Sequence, residues 1–108
     1  NAQEIETSVR EDAPITIVIY NDCSYGALRV FQKAHYGGRF LGSHFGPTDH
    51  VKLAEAYGAR GERVEQPGDI VGALERAVEA DVTTVIDVII DGWEPHYRED
   101  EFAAFHKF

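Results

Sequence analysis

Asn21 and Asp22 are two polar side chains placed where a run of apolar residues ends. The oxygens of an amide and a carboxylate are hard ligands, which suit Mg²⁺ or Ca²⁺. A predicted helix begins near Gly26, and the free N–H groups at a helix start favour an anion. Together these features indicate a site for a divalent cation and a diphosphate. The same residues are also compatible with a plain strand-to-helix turn, in which Asp22 or Ser24 is a cap.

The rest of the sequence alternates between strand patterns and helix patterns. Strands are predicted at 15–20, 61–65 and 83–90, and helices at 2–10, 26–35, 48–58 and 70–80. This alternation predicts an α/β domain with a mostly parallel sheet in a three-layer α/β/α arrangement. Such sheets bind ligands beyond the carboxyl ends of their strands, and Asn21 and Asp22 lie at one of these ends.

Three segments carry more detailed predictions. The first strand is polar only at Thr16, which is typical of a strand covered on both faces. The last of these helices places Ile70, Leu74 and Val78 on one face. Residues 35–47 are rich in glycine and aromatic residues and are predicted to form a loop.

The composition limits the class of partner. The chain has 108 residues and a formal net charge of -9, which argues against a nucleic-acid backbone or an anionic membrane surface as partner. Its apolar runs are too short to span a bilayer. The single cysteine, Cys23, cannot form an internal disulfide, which fits a reducing compartment. We therefore expect a cytoplasmic protein.

The chain, 1–108, is predicted to form one domain. Its tail, 93–108, carries Phe102, Phe105 and Phe108 three residues apart, which predicts a short terminal helix. The sequence contains no methionine and opens within a helix pattern. We therefore expect the natural protein to begin upstream of this sequence.

Two long stretches together resemble a known family. They are ITIVIYNDCSYGALRVFQ and HVKLAEAYGARGERVEQPGDIVGALERAVEADVTTVIDVIID. They are similar to the C-terminal cofactor domain of thiamine diphosphate-dependent enzymes such as acetolactate synthase, benzoylformate decarboxylase and pyruvate decarboxylase. The resemblance covers nearly all residues from Ala2 to Gly92. It implies the thiamine diphosphate-binding fold, with thiamine diphosphate and Mg²⁺ as cofactors.

The resemblance also assigns roles to the corner residues. Asn21 would brace the turn, and Asp22 would ligate Mg²⁺ through a side-chain oxygen. Ser24 would complete the metal site with its backbone carbonyl, while the backbone amides of Tyr25 and Gly26 would approach the diphosphate. Many members carry asparagine where this chain has Asp22, and the added negative charge should tighten Mg²⁺ binding.

The substrate and the assembly follow from the same resemblance. Ala27 and Phe31 match pocket residues of the benzoylformate decarboxylase type, although core packing is an alternative role for Phe31. The substrate would be a 2-oxo acid, and the enzyme a decarboxylase or a carboligase, working as a homodimer or homotetramer. The family's Gly-Asp-Gly motif and first strand would precede Asn1, and a partner subunit would supply the activating glutamate. The chain alone, with no catalytic residue of its own, should be inactive.

Other interpretations stay open at this point. His35, His44 and His50 match no zinc spacing and are interpreted as solvated or locally bonded loop residues, with a catalytic role for one of them as the alternative. Cys23 has no base beside it in sequence, so a turn thiol is the simpler interpretation. A receiver-like binding module with Asp91 as acceptor, or a regulatory fragment that binds no cofactor, are the alternative function classes.

Overall fold

The computed structural model describes residues 1–91. They fall into two compact units, Asn1–Asn21 with Pro47–Ile90, and Asp22–Gly46 with Asp91. The predicted helix in the tail, 93–108, lies outside the described residues. Within residues 1–91, no helix is both long enough and apolar enough to cross a membrane.

The elements follow the predicted order with small shifts at their ends. The strands are β1 (Thr16–Asn21), β2 (Arg60–Val64) and β3 (Thr84–Ile89). The helices are α1 (Glu4–Arg10), α2 (Gly26–His35), α3 (His50–Ala56) and α4 (Ile70–Ala80), with a 3₁₀ turn at Pro67–Asp69 before α4. In the first unit the three strands form a parallel sheet in the order β1-β3-β2.

The central strand, β3, is covered on both faces. Its side chains alternate, so Ile86 and Val88 face one side and pack with Ala73 and Ala77 of α4. Val85 faces the other side, where it packs in a cluster with residues of α1 and α3 that includes Ile5 and Ala54. Helices therefore cover both faces of the sheet, and the three-layer α/β/α prediction is confirmed.

One of the detailed predictions was wrong. β1 lies at the edge of the sheet among the described residues, and its alternate side chains are open to solvent, with Tyr20 71% exposed. In α4 the buried residues are Ala73 and Ala77, whereas Leu74 is 37% and Val78 is 72% exposed. Ile70, from the predicted face, is partly buried and packs against the cluster that contains Ala73 and Ala77.

Gly61 marks a close contact between β2 and α3. A Cβ atom built at this position would lie 2.7 Å from the Cα of Val51 and 2.8 Å from its carbonyl oxygen. Val51 Cγ1 would also lie at 2.8 Å, but rotating that side chain would leave the two backbone contacts in place. The absence of a side chain at Gly61 is therefore what lets α3 pack against this end of the sheet.

Candidate functional site

The turn between β1 and α2 is closed by the side chain of Asp22. One carboxylate oxygen accepts a hydrogen bond from the Ser24 backbone N–H (3.0 Å), and the other accepts one from Ser24 Oγ (2.7 Å). Between them, Cys23 has a φ of 51°, in the left-handed region that non-glycine residues seldom adopt. The turn is thus held in a sharp conformation by two hydrogen bonds to one carboxylate.

Ser24 is also paired with the loop that follows α2. It lies opposite His44 in an isolated antiparallel bridge. Two backbone hydrogen bonds flank this pair, from the Tyr25 N–H to the Ser43 carbonyl (2.9 Å) and from the Phe45 N–H to the Cys23 carbonyl (3.1 Å). In this type of antiparallel pair, the N–H and C=O of the central residue point away from the partner strand. The Ser24 carbonyl therefore points away from the loop.

The Ser24 carbonyl and the Asp22 carboxylate face the same side of this segment. The Ser24 N–H points away from the loop together with its carbonyl, and this N–H is the group that donates to Asp22. A carboxylate and a backbone carbonyl on one side form the start of an oxygen site for Mg²⁺, so these residues fit the implied metal. Within residues 1–91 there is no cluster of three or more histidine, cysteine or acidic side chains that could hold a metal alone. Further ligands would have to come from elsewhere.

The surroundings of Asp22 favour its ionised form. Burial raises the pKa of Asp22, but hydrogen bonds from the Ser24 side chain and backbone, and the positive charge of Arg29, lower it more strongly. Arg29 is itself buried in α2, where its Nη1 donates to Ser24 Oγ (3.2 Å) and its guanidinium lies 5.8 Å from the centre of the Phe40 ring. The net pKa of Asp22 lies below its usual range, so the carboxylate is charged at neutral pH.

Replacing Ser24 with alanine is expected to raise the pKa of Asp22. The change removes the Oγ donor and keeps the backbone donor, so part of the lowering is lost. Because the folded pKa is depressed, the contribution of Asp22 to stability is present above its usual pKa and disappears as the pH falls through the depressed value. In Ser24→Ala this loss should begin at higher pH.

An NMR titration of the Asp22 carboxyl carbon checks this expectation. Ser43→Ala is the control, because the buried Oγ of Ser43 bonds to no described residue and its loss should leave the titration unchanged. An unchanged or lower pKa of Asp22 in Ser24→Ala would show that the Oγ hydrogen bond does not stabilise the carboxylate.

The start of α2 presents backbone donors. The amides of Gly26, Ala27 and Leu28 lie in the first helical turn and have no carbonyl of their own helix to bond. The amide of Tyr25 already donates to the Ser43 carbonyl. A diphosphate at this helix start would therefore be bound by the amides that follow Tyr25. Ala27 is exposed, and the Phe31 ring packs 4.5 Å from the His35 ring. The cofactor role of Tyr25 and the pocket roles of Ala27 and Phe31 stay predictions.

In the first unit, Asn21 joins a buried polar network centred on Asp87. Asp87 is fully buried, and its Oδ2 accepts hydrogen bonds from Arg63 Nε (3.3 Å) and Nη2 (3.1 Å). Its Oδ1 accepts one from Asn21 Nδ2 (2.9 Å) and lies 3.2 Å from His50 Nδ1. The alternation of the strands explains this meeting, because Arg63 and Asp87 share the face of the sheet that α3 covers. Asn21 is thus anchored on its side-chain amide.

This network corrects one interpretation and adds residues that the sequence analysis missed. His50 is not a loop histidine, because it is the first residue of α3 and contacts Asp87, 37 positions away in the sequence. Asp87 and Arg63 were not singled out. The signal for Asp87 was present, since a lone carboxylate inside an apolar strand needs charged or polar partners when it is buried.

Comparisons with known proteins identify the family of this chain. Residues 1–88 match the model of the family described as "Thiamine pyrophosphate enzyme, C-terminal TPP binding domain". The chain is 38% identical over 91 residues to an acetolactate synthase of Bacillus subtilis, and this match covers 84% of the chain and 16% of that protein.

Two solved structures share the fold. A 4-hydroxybenzoylformate decarboxylase of Rhodococcus jostii RHA1 superposes with a TM-score of 0.74 at 36% identity, over 81% of this chain and 16% of that one. A benzoylformate decarboxylase of Polynucleobacter necessarius superposes with a TM-score of 0.76 at 27% identity, over 84% of this chain and 17% of that one. The chain thus spans less than a fifth of the length of each relative. It belongs to the family of C-terminal cofactor-binding domains of thiamine diphosphate-dependent enzymes.

Proposed function

We propose that this chain binds thiamine diphosphate together with Mg²⁺, as the cofactor domain of a 2-oxo acid decarboxylase or carboligase. The observation that carries the proposal is the turn at Asp22 and Ser24. It presents an ionised carboxylate and a backbone carbonyl on one side, immediately before the start of α2. Family membership supports the class of cofactor, and the oxygen donors support the cation.

The roles of the residues follow from their chemistry. Asp22 and the Ser24 carbonyl would hold the Mg²⁺ ion, and the amides of Gly26 and the residue after it would bind phosphate oxygens. Asn21, the residue directly before Asp22, would brace the turn, and its own side chain is held by a hydrogen bond to Asp87. Thiamine diphosphate, when bound, supplies the nucleophilic carbon that attacks the carbonyl of a 2-oxo acid and allows CO₂ to leave.

The proposal extends to the assembly. The relatives are several times longer than this chain, so we propose that the domain works with further domains in a homodimer or homotetramer. A glutamate of a partner subunit would activate the cofactor, while Ala27 and Phe31 would line part of the pocket for the 2-oxo acid. The net charge of -9 supports a small-molecule substrate rather than a nucleic acid, in a cytoplasmic enzyme.

A calorimetric titration of the chain with thiamine diphosphate tests the proposed function. We expect weak binding that requires millimolar Mg²⁺ and disappears when EDTA is added. We expect no decarboxylation of pyruvate or benzoylformate by the chain alone, because the other domains are needed. Measurable turnover would show that the other domains are not needed for decarboxylation.

The same titration distinguishes the proposed cofactor domain from a second candidate, a regulatory domain that binds no cofactor. Family membership removes the receiver-like interpretation, since the whole matched region belongs to a cofactor-binding domain. A regulatory domain that kept the fold and lost the cofactor would show no heat of binding at any Mg²⁺ concentration. That result would favour the regulatory function over the catalytic one.

A further inference from the structure

The amide of Asn21 has two possible acceptors in the buried network. Its Nδ2 carries two hydrogens, and one of them is donated to Asp87 Oδ1 at 2.9 Å. His50 Nδ1 lies 3.3 Å from the same nitrogen. This second contact is a hydrogen bond only if His50 Nδ1 carries no proton, since Asn21 Nδ2 can only donate. Neutral His50 with its proton on Nε2 satisfies that condition.

A proton on His50 Nδ1 produces a different arrangement. His50 then donates to Asp87 Oδ1, which lies 3.2 Å away. In that state Asn21 Nδ2 and His50 Nδ1 are both donors, and their contact at 3.3 Å becomes repulsive. Arg63 donates to the other oxygen of Asp87, Oδ2. Asn21 and His50 therefore share Oδ1 as their acceptor on Asp87. The position of one proton therefore decides whether His50 Nδ1 can accept a hydrogen bond from Asn21 Nδ2.

We propose that His50 and Asp87 are positioning residues for Asn21, and that the protonation of His50 Nδ1 controls how firmly Asn21 is held. This inference rests on the proposed function, because Asn21 matters to the cofactor as the residue directly before Asp22. The geometry supports it, since Asn21 Nδ2, His50 Nδ1 and Asp87 Oδ1 lie 2.9 to 3.3 Å from one another.

The electrostatic surroundings of His50 come from several elements. Asp87 of β3 lies 3.2 Å from the ring Nδ1, and Arg63 of β2 pairs with the other oxygen of the same carboxylate. Asp49 and Lys52 lie on the same helix start and form an ion pair with each other. The ring is also only 20% exposed, so solvent competes weakly with the network for Nδ1. The state of Nδ1 is thus set mainly by Asn21 and Asp87.

The first test needs no cofactor. In the chain, the ¹⁵N chemical shifts of the His50 ring report which nitrogen is protonated, and we expect Nε2–H at pH 8. His50→Phe keeps a flat ring but removes the acceptor, so the Asn21 side-chain amide hydrogens should exchange with water about tenfold faster. His50→Asn restores a polar atom near the place of Nδ1 and should return exchange to near the original rate. Lys52→Gln, an exposed change on the same helix, is the control.

Two results would overturn the inference. One is a His50 ring that carries its proton on Nδ1 at pH 8, and the other is unchanged Asn21 exchange in His50→Phe. Thermal melting of each variant separates a local effect from loss of the fold. A His50→Phe chain that exchanges Asn21 faster with an unchanged melting temperature supports the positioning role.

The second test links the network to the cofactor. His50→Phe should weaken Mg²⁺-dependent binding of thiamine diphosphate several-fold at pH 8. Equal affinity of both chains would overturn the link to the cofactor. If the original chain binds no thiamine diphosphate, the proposed function fails, and the ring shifts and exchange rates still decide the role of His50.

Discussion

Replacing Asp22 with alanine is expected to weaken Mg²⁺-dependent binding of thiamine diphosphate by about 100-fold, the upper end of what the loss of a residue supporting a metal site costs. The variant loses the carboxylate that closes the turn and would ligate the ion. Because the pKa of Asp22 is lowered, its carboxylate is ionised at neutral pH. The substitution therefore removes a full negative charge. The measurement is a Mg²⁺ titration at fixed thiamine diphosphate, in the longer enzyme that we propose carries this domain.

Two variants make this experiment specific. Asp22→Asn keeps a side-chain oxygen and removes the charge, so its affinity should fall between those of the original protein and Asp22→Ala. Ser24→Ala keeps the backbone carbonyl that we assign to the metal, so it should bind Mg²⁺ more tightly than Asp22→Ala does. Equal Mg²⁺ affinity of Asp22→Ala and the original protein would show that Asp22 is not a metal ligand. If Ser24→Ala bound Mg²⁺ more weakly than Asp22→Ala, the serine hydroxyl would be assigned to the metal instead.

Replacing Gly61 with alanine is expected to lower the free energy of unfolding by about 3 kcal/mol, the upper part of the usual range for overpacking. The new Cβ would meet backbone atoms of Val51 at 2.7 and 2.8 Å, well inside any real contact distance. Relief requires α3 to move away from β2, which would weaken the packing of Ala54 in the apolar cluster beside β3. Urea denaturation followed by circular dichroism measures the loss.

Gly68→Ala is the matched control for this substitution. Gly68 lies in the 3₁₀ turn before α4, where an added Cβ would meet nothing within 4 Å and no unusual φ is required. We expect a change within about 0.5 kcal/mol, as for an ordinary surface position. Similar destabilisation in both variants would mean that backbone freedom, rather than the contact with Val51, dominates at Gly61.

The elements of this fold were predictable because their signals are local. The helices 26–35 and 70–80 begin and end where the sequence predicts, and each strand is shifted by only about one residue at its ends. Caps and periodicity depend on residues within a few positions of each other. Asp49 illustrates such a local signal, since it caps the start of α3 by accepting a hydrogen bond from the Lys52 N–H (3.1 Å).

The parts that were not predictable depend on distant residues. Asn21 and Asp87 are 66 positions apart, and nothing near either residue shows that they meet. The buried face of α4, which carries Ala73 and Ala77, depends on how the helix packs against the sheet. The spacing of apolar residues alone does not predict that packing. The direction of the Ser24 carbonyl depends on its pairing with His44, a bridge that the glycine-rich loop pattern does not indicate.

The strand order also has a consequence for synthesis of the chain. Both β1 and β2 pair with β3, and β3 is the last of the three to leave the ribosome. Until Thr84–Ile89 emerges, the run ITIVIY has no sheet partner among the described strands, and its β-branched residues resemble a segment prone to intermolecular pairing. Pairing over such a separation is intrinsically slow. A nascent chain halted before Thr84 therefore exposes β1 as a template for aggregation.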